Sequence, residues 1–179
     1  TAIEATVNLD GSGKYNVSTG IGFFDHMLEQ LSKHGGFDID LQATGDLHID
    51  EHHTVEDVGI TLGSALAKAL GDKRGISRYG FLLPMDETEA QVSIDLSGRP
   101  YFVFNGEFPK PMIGELSTEM VVHFFRSFAE SLGATLHMTV QGENSHHMAE
   151  ALFKSLARSL RDAFAKTGSS ELPSTKGVL

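Results

Sequence analysis

The chain has no cysteine, which excludes disulfides and thiolate metal sites, so any bound metal must be held by nitrogen and oxygen. It also has no apolar run near the roughly 18 residues that a membrane helix needs, and no basic-then-apolar N-terminal order typical of a secretory signal. The expectation is a cytoplasmic protein. Basic residues are scarce. With 14 Lys and Arg against 24 Asp and Glu, the formal charge is −10, and a broad positive field for nucleic acid or an anionic membrane surface is absent. A small anionic ligand remains possible, because a few convergent Arg and Lys side chains make a local positive site. The first residue is Thr1 rather than methionine, so the sequence is expected to be trimmed or part of a longer one.

The 179 residues suit one sizeable domain or two small halves sharing a core. Ala2 to Leu9 reads as a strand, Asp10-Gly-Ser-Gly13 as a hairpin turn and Tyr15 to Val17 as the returning strand. Phe24, Met27, Leu28 and Leu31 lie at helical spacing and stop at Gly35-Gly36; Phe37, Ile39 and Leu41 then alternate as in a strand. Val58, Leu62, Leu66 and Leu70 form a second helical stripe. The order then recurs. Val92, Ile94 and Leu96 alternate, Ser97-Gly-Arg-Pro100 turns into a partner strand Tyr101 to Phe104, and Val121, Phe124, Phe125 and Phe128 make a helix stripe. Leu136, Met138 and Val140 make a strand, and Leu152, Leu156, Leu160 and Phe164 a closing helix. Met27, Leu28 and Leu31 fall on Phe124, Phe125 and Phe128 at an offset of 97, and Leu62, Leu66 and Leu70 on Leu156, Leu160 and Phe164 at 94. The expected fold is α+β, an internal duplication of two β-β-α-β-α halves, residues 1–84 and 85–168, each a small sheet with a helix pair on one face. Residues 169–179 form a Gly-, Ser- and Pro-rich tail, disordered as often as ordered on composition alone.

The chemistry sits at the mouths of two helices. His48-Ile-Asp-Glu-His-His-Thr-Val-Glu56 carries adjacent histidines and a glutamate, and Ser145-His-His-Met-Ala-Glu150 repeats them with the same internal spacing. Under the 97-residue offset His26 falls on His123. On a helix either His52 or His53 can converge with Glu56 on one cation, whereas adjacent side chains project about 100° apart, so each His-His pair is expected to split between two ions. Six histidines and two glutamates supply two sites of three His and one Glu each, leaving open coordination positions as in a catalytic site. Asp50, Glu51 and Asp57 are candidate orienters of the imidazoles or merely solvated acids. His34, His48 and His137 read as ordinary. Arg74, Arg78, Arg99 and Lys176 lie in turn-like contexts and Lys154 one turn beyond Glu150, positions from which Arg forks and Lys charges can bind phosphate or simply face solvent.

The stretches Gly-Ile-Gly-Phe-Phe-Asp-His-Met-Leu (20–28), Gly-Asp-Leu-His-Ile-Asp-Glu-His-His-Thr-Val-Glu-Asp (45–57), Leu-Pro-Met-Asp-Glu (83–87), Leu-Ser-Gly-Arg-Pro-Tyr (96–101), Gly-Glu-Asn-Ser-His-His (142–147) and Pro-Ser-Thr-Lys-Gly-Val-Leu (173–179) together resemble the imidazoleglycerol-phosphate dehydratases of histidine biosynthesis, over essentially the whole chain. The resemblance implies a hydro-lyase that converts D-erythro-imidazole glycerol phosphate to imidazole acetol phosphate. By it, His26, His52, His53, Glu56, His123, His146, His147 and Glu150 are similar to the ligands of two Mn2+ ions. Gln30, Arg78, Arg99, Lys154, Ser174 and Lys176 are similar to substrate and phosphate contacts, with the tail completing the substrate site. It also implies a 24-subunit homo-oligomer, with sites completed across subunits, and a catalytic glutamate whose aligned position falls just before Thr1; Glu4 is out of register. The mechanism expected with two metals passes through a substrate imidazolate that expels the C3 hydroxyl to give a diazafulvene, after which a base removes the C2 proton and the enol becomes the ketone. The rival expectations are a two-metal phosphate-ester hydrolase and a non-catalytic protein whose metals only join subunits.

Overall fold

A computed structural model describes the backbone of residues 1–179 and the side chains of all but residues 81–83. The strand β1 (Ala2–Asn8) is followed by β2 (Tyr15–Ser18), helix α1 (Gly22–Gly35), β3 (Asp38–Thr44) and helix α2 (His52–Leu70). After β4 (Tyr79–Met85) come β5 (Thr88–Asp95), β6 (Tyr101–Asn105), the short hairpin β7 (Met112–Ile113) and β8 (Leu116–Ser117), helix α3 (Thr118–Leu132), β9 (Thr135–Gln141) and helix α4 (Ser145–Phe164).

Both anticipated hairpins are absent. The first sheet has the order β1-β3-β2, with β3 antiparallel to β1 and parallel to β2. In the second, β4-β5-β9-β6, β9 is likewise antiparallel to β5 and parallel to β6. Tyr15 to Val17 therefore do not return against β1, nor Tyr101 to Phe104 against β5. In each case the following helix carries the chain over the sheet, and the next strand inserts between the two that the turn had seemed to join. The three-stranded units share one topology, and β4, which runs across the expected boundary between residues 84 and 85, extends the second sheet from its β5 edge. The turns are still used locally: Asp38 Oδ1 accepts the backbone N–H groups of Ser12 (2.9 Å) and Lys14 (2.8 Å), which shapes the loop between β1 and β2.

The helices form the layer between the sheets. α2 lies against β1 and α1 against β2; α4 lies against β4 and β5 and α3 against β6. Across the middle, α1 packs on α4 and α2 on α3. The interior is a continuous apolar core in which Phe24, Phe124, Phe125, Phe128 and Phe153 are fully buried with ring centroids 4.6–5.8 Å apart, a spacing at which aromatic pairs add to area burial. Two glycines let α2 approach α3 closely. A methyl group at Gly63 would lie 2.6 Å from the Phe128 carbonyl oxygen, and one at Gly59 3.1 Å from that of Phe124. Two helix ends carry the glycine stops that end an apolar stripe: α1 and α3 stop at Gly36 and Gly133, both with left-handed backbone; the Asn144 side chain, not singled out in the sequence, caps α4 by accepting the N–H groups of His146 and His147. No described helix is long and apolar enough to cross a membrane.

Candidate metal centres and anion cavity

Because α1 packs on α4 and α2 on α3, the motifs meet across the halves. His26 of α1 joins His146 and Glu150 of α4, and His123 of α3 joins His52 and Glu56 of α2; within each group one ligand atom per residue lies within 4.8 Å of the others. His146 Nε2 stands 3.2 Å from Glu150 Oε2, and His26 Nε2 3.9 Å from the same oxygen. In the second group Glu56 places one oxygen 3.6 Å from His52 Nε2 and the other 3.4 Å from His123 Nε2. That His123 nitrogen is buried without a hydrogen-bond partner, a state that costs free energy unless something else occupies its lone pair. Two imidazoles and a carboxylate around an unsatisfied nitrogen are a donor set that fits a divalent transition metal.

The remaining member of each histidine pair turns away. The His52 and His53 ring centroids are 6.1 Å apart, as are those of His146 and His147. His53 Nδ1 lies 2.8 Å from Asp46 Oδ2, and His147 Nδ1 2.8 Å from Glu87 Oε2. Each carboxylate raises its imidazole above the ordinary histidine value, chiefly through the hydrogen bond, and is itself held low by it. A single chain therefore brings together two His and one Glu per group, and leaves an exposed His53 and a partly buried His147 outside them with Nδ1 already engaged. Such an arrangement leaves Nε2 as the free ligand atom. Asp46 and Glu87 had not been singled out in the sequence, although both fall inside motifs quoted above. Two of the candidate orienters serve the backbone instead: Asp50 accepts the N–H of His52 and Glu51 that of Ser117.

The proposed phosphate contacts divide into two sets. Arg78, Arg99, Ser174 and Lys176 line a cavity of about 370 Å³ with Tyr79, Pro173, Thr175 and Leu179, so the tail folds back to form one wall. Gln30 and Lys154 lie instead beside the His26 centre. Gln30 bridges His26 (3.5 Å) and His34 (3.1 Å), which gives the supposedly ordinary His34 a place next to the site; burial, then Lys154 and Arg158, lower its affinity for a proton. Lys154 Nζ pairs with Glu150 Oε1. Burial alone would push the Glu150 carboxyl up, but Lys154 and the two histidines outweigh it and keep the group ionised. Arg74 pairs with Asp72 away from the cavity, His48 is exposed, and His137 faces Tyr101 on the sheet.

Comparison with known proteins agrees with this architecture. The family model for imidazoleglycerol-phosphate dehydratase matches residues 19–160. A histidine biosynthesis bifunctional protein HisB of Stenotrophomonas maltophilia is 59% identical over all 179 residues, which cover 50% of that protein; that of Actinobacillus pleuropneumoniae is 56% identical, with 49% covered. The chain thus spans about half the length of the curated relatives it matches. Among solved structures, an imidazoleglycerol-phosphate dehydratase of Staphylococcus aureus superposes with a TM-score of 0.86 at 38% identity, covering 92% of this chain and 95% of that one. Its counterpart from Pyrococcus furiosus gives 0.85 at 36%, covering 99% and 95%. Several ordered motifs, a matching fold and relatives at this identity lead to one conclusion: the chain belongs to the imidazoleglycerol-phosphate dehydratase family.

Proposed function

We propose that the chain dehydrates D-erythro-imidazole glycerol phosphate to imidazole acetol phosphate, a step of histidine biosynthesis expected in the cytoplasm, with two divalent ions, Mn2+ in the first instance. The observation that carries this reading is the repeated His2Glu group, built twice by equivalent helices and left short of ligands in one protomer. His26, His146 and Glu150 would hold one ion, and His52, Glu56 and His123 the other. His53 and His147, outside these two groups and oriented by Asp46 and Glu87, would complete centres of neighbouring copies, which makes the 24-subunit homo-oligomer implied by the family resemblance the functional form.

The reaction is difficult because the proton to be lost has no adjacent carbonyl to acidify it. Bound metal would act as a Lewis acid that lowers the pKa of the substrate's ring N–H, and loss of that proton would give the ring the electron pair that expels the neighbouring hydroxyl. The chain's own groups do the positioning. Arg78, Arg99, Ser174 and Lys176 would hold the phosphate end, an anchoring through a non-reacting group that lets binding energy serve orientation. Lys154 keeps Glu150 ionised as a ligand. Gln30 helps to hold the His26 ring, its amide N–H lying against Nδ1 while its carbonyl oxygen is engaged by His34. The test is an assay of chelated protein with and without added Mn2+. Metal-dependent formation of the ketone without release of inorganic phosphate supports the proposal; phosphate release would mark a two-metal hydrolase, and no turnover with full metal content a purely structural metal.

A further inference from the structure

Arg78 is held from every side. Its backbone has φ 72°, a left-handed conformation that a long L side chain adopts only when its surroundings impose it. Its Nε and Nη2 donate to the two carboxylate oxygens of Asp95, the latter at 2.9 Å, and Nη1 donates to the Pro173 carbonyl at 2.8 Å. The ring of Tyr79 lies 4.8 Å from the guanidinium carbon. A guanidinium has five N–H groups. With three engaged, Nη1 and Nη2 each keep one for a ligand in the cavity that Arg78 lines.

The Pro173 contact has a second consequence. The tail is tied to the body by Thr167 N–H to Gly75 O (2.8 Å), Gly75 N–H to Glu171 O (3.1 Å) and Arg78 to Pro173 O. Beyond Pro173, the hydrogen bonds among the described residues are internal to the tail, such as Ser174 N–H to Leu172 O and Lys176 N–H to Ser174 Oγ. Arg78 is thus the last anchor before Ser174 and Lys176, and what fixes Arg78 is Asp95, at the end of β5.

We infer that Asp95 is a positioning residue for the anion cavity: its carboxylate sets the Arg78 fork, and through Pro173 that fork places Ser174 and Lys176 opposite Arg99 around a phosphate group. The inference rests on the reading above that this cavity takes the substrate phosphate. An asparagine at 95 offers one acceptor where the fork needs two, and turns an NH2 group toward a cation. The strand itself does not depend on the carboxylate, because β5 is paired through its backbone with β4 on one side and β9 on the other up to Asp95.

The experiment uses the full, metal-loaded assembly and three variants. KM and kcat are measured for the substrate, dissociation constants for inorganic phosphate, and the rate of tryptic cleavage after Lys176 by mass spectrometry. Asp95→Asn is expected to speed cleavage and to raise KM and the phosphate Kd about tenfold, a displacement-type effect, with metal content unchanged and with kcat falling less than KM rises. Arg78→Lys, which keeps the charge but not the fork, should reproduce the faster cleavage and covers the case in which Asp95→Asn fails to assemble. Arg99→Ala should weaken phosphate as strongly while leaving cleavage at the wild-type rate. Wild-type cleavage and KM in Asp95→Asn, with phosphate weakened in Arg99→Ala, would overturn the positioning role alone. Wild-type phosphate binding in Arg99→Ala would overturn the cavity reading and this inference with it.

Discussion

His123 Nε2, on α3, stands 3.4 Å from Glu56 Oε1, on α2, and is otherwise buried without a hydrogen-bond partner. The two residues are far apart in sequence and come from opposite halves, yet they share a centre with His52 because α2 and α3 cross closely. Their equivalents, His26 and Glu150, stand in the same relation across α1 and α4.

Glu56→Gln keeps the shape of the side chain and removes the charge that draws a cation to this centre. Affinity for the ion there should fall by more than about tenfold, the lower end of what even outer contacts of a metal site contribute. Metal analysis of the purified variant should approach half the wild-type content, with the circular dichroism spectrum unaltered. Full content would remove Glu56 from the ligand set.

Gly63→Ala tests the helix approach on which the same centre depends. The added methyl meets the Phe128 carbonyl at 2.6 Å and the Ser131 side chain at 3.0 Å, so α2 and α3 must separate or bend. Overpacking of this kind costs about 1–3 kcal/mol. Both the melting temperature and the metal affinity should drop, whereas a change in stability alone would show that the His52–His123 geometry tolerates the shift.

Asp38 carries a prediction for acid pH that is independent of the metals. The backbone N–H groups of Lys14 and Ser12 hold its carboxyl below the ordinary aspartate value. A carboxyl depressed in the fold contributes stability that is complete above the unfolded value of roughly 3.9 and is lost as pH falls through the folded one. Asp38→Asn should therefore lower the melting temperature near neutrality and flatten its fall below about pH 4. Parallel acid profiles for variant and wild type would contradict the assignment.

His53→Ala bears on assembly. The side chain is largely exposed in one protomer and oriented by Asp46, so its loss should leave the protomer fold intact while reducing both metal content and the fraction of large oligomer, as read by light scattering. A fully metallated, fully assembled and active variant would exclude a ligand role between copies.

The helices and their ends were legible in the sequence because they are local: the apolar stripe of α3 and the glycine stops at Gly36 and Gly133 lie within a few residues of what they control. The histidine pairs were legible as a repeated motif, and their divergence followed from helix geometry. Strand order was not. Asp10-Gly-Ser-Gly13 carries hairpin chemistry, but β3 enters between β1 and β2, a choice made by the crossover of α1 and not by the turn. The partners of His53 and His147 were equally hidden, since Asp46 and Glu87 are brought in by loops 7 and 60 residues away. The role of Asp95 depends on Arg78, which bonds both to Asp95 of β5 and to Pro173 of the tail, a link that no periodicity records.

The central claim is that the substrate imidazole enters the metal centres through its own nitrogens. Pulsed electron paramagnetic resonance of the Mn2+-loaded assembly, with substrate labelled with 15N in the ring, measures this directly. The account predicts an electron-spin-echo modulation from directly bound 15N that is replaced by a 14N pattern with unlabelled substrate. A spectrum identical for the two substrates, showing only protein histidine nitrogen, would contradict it.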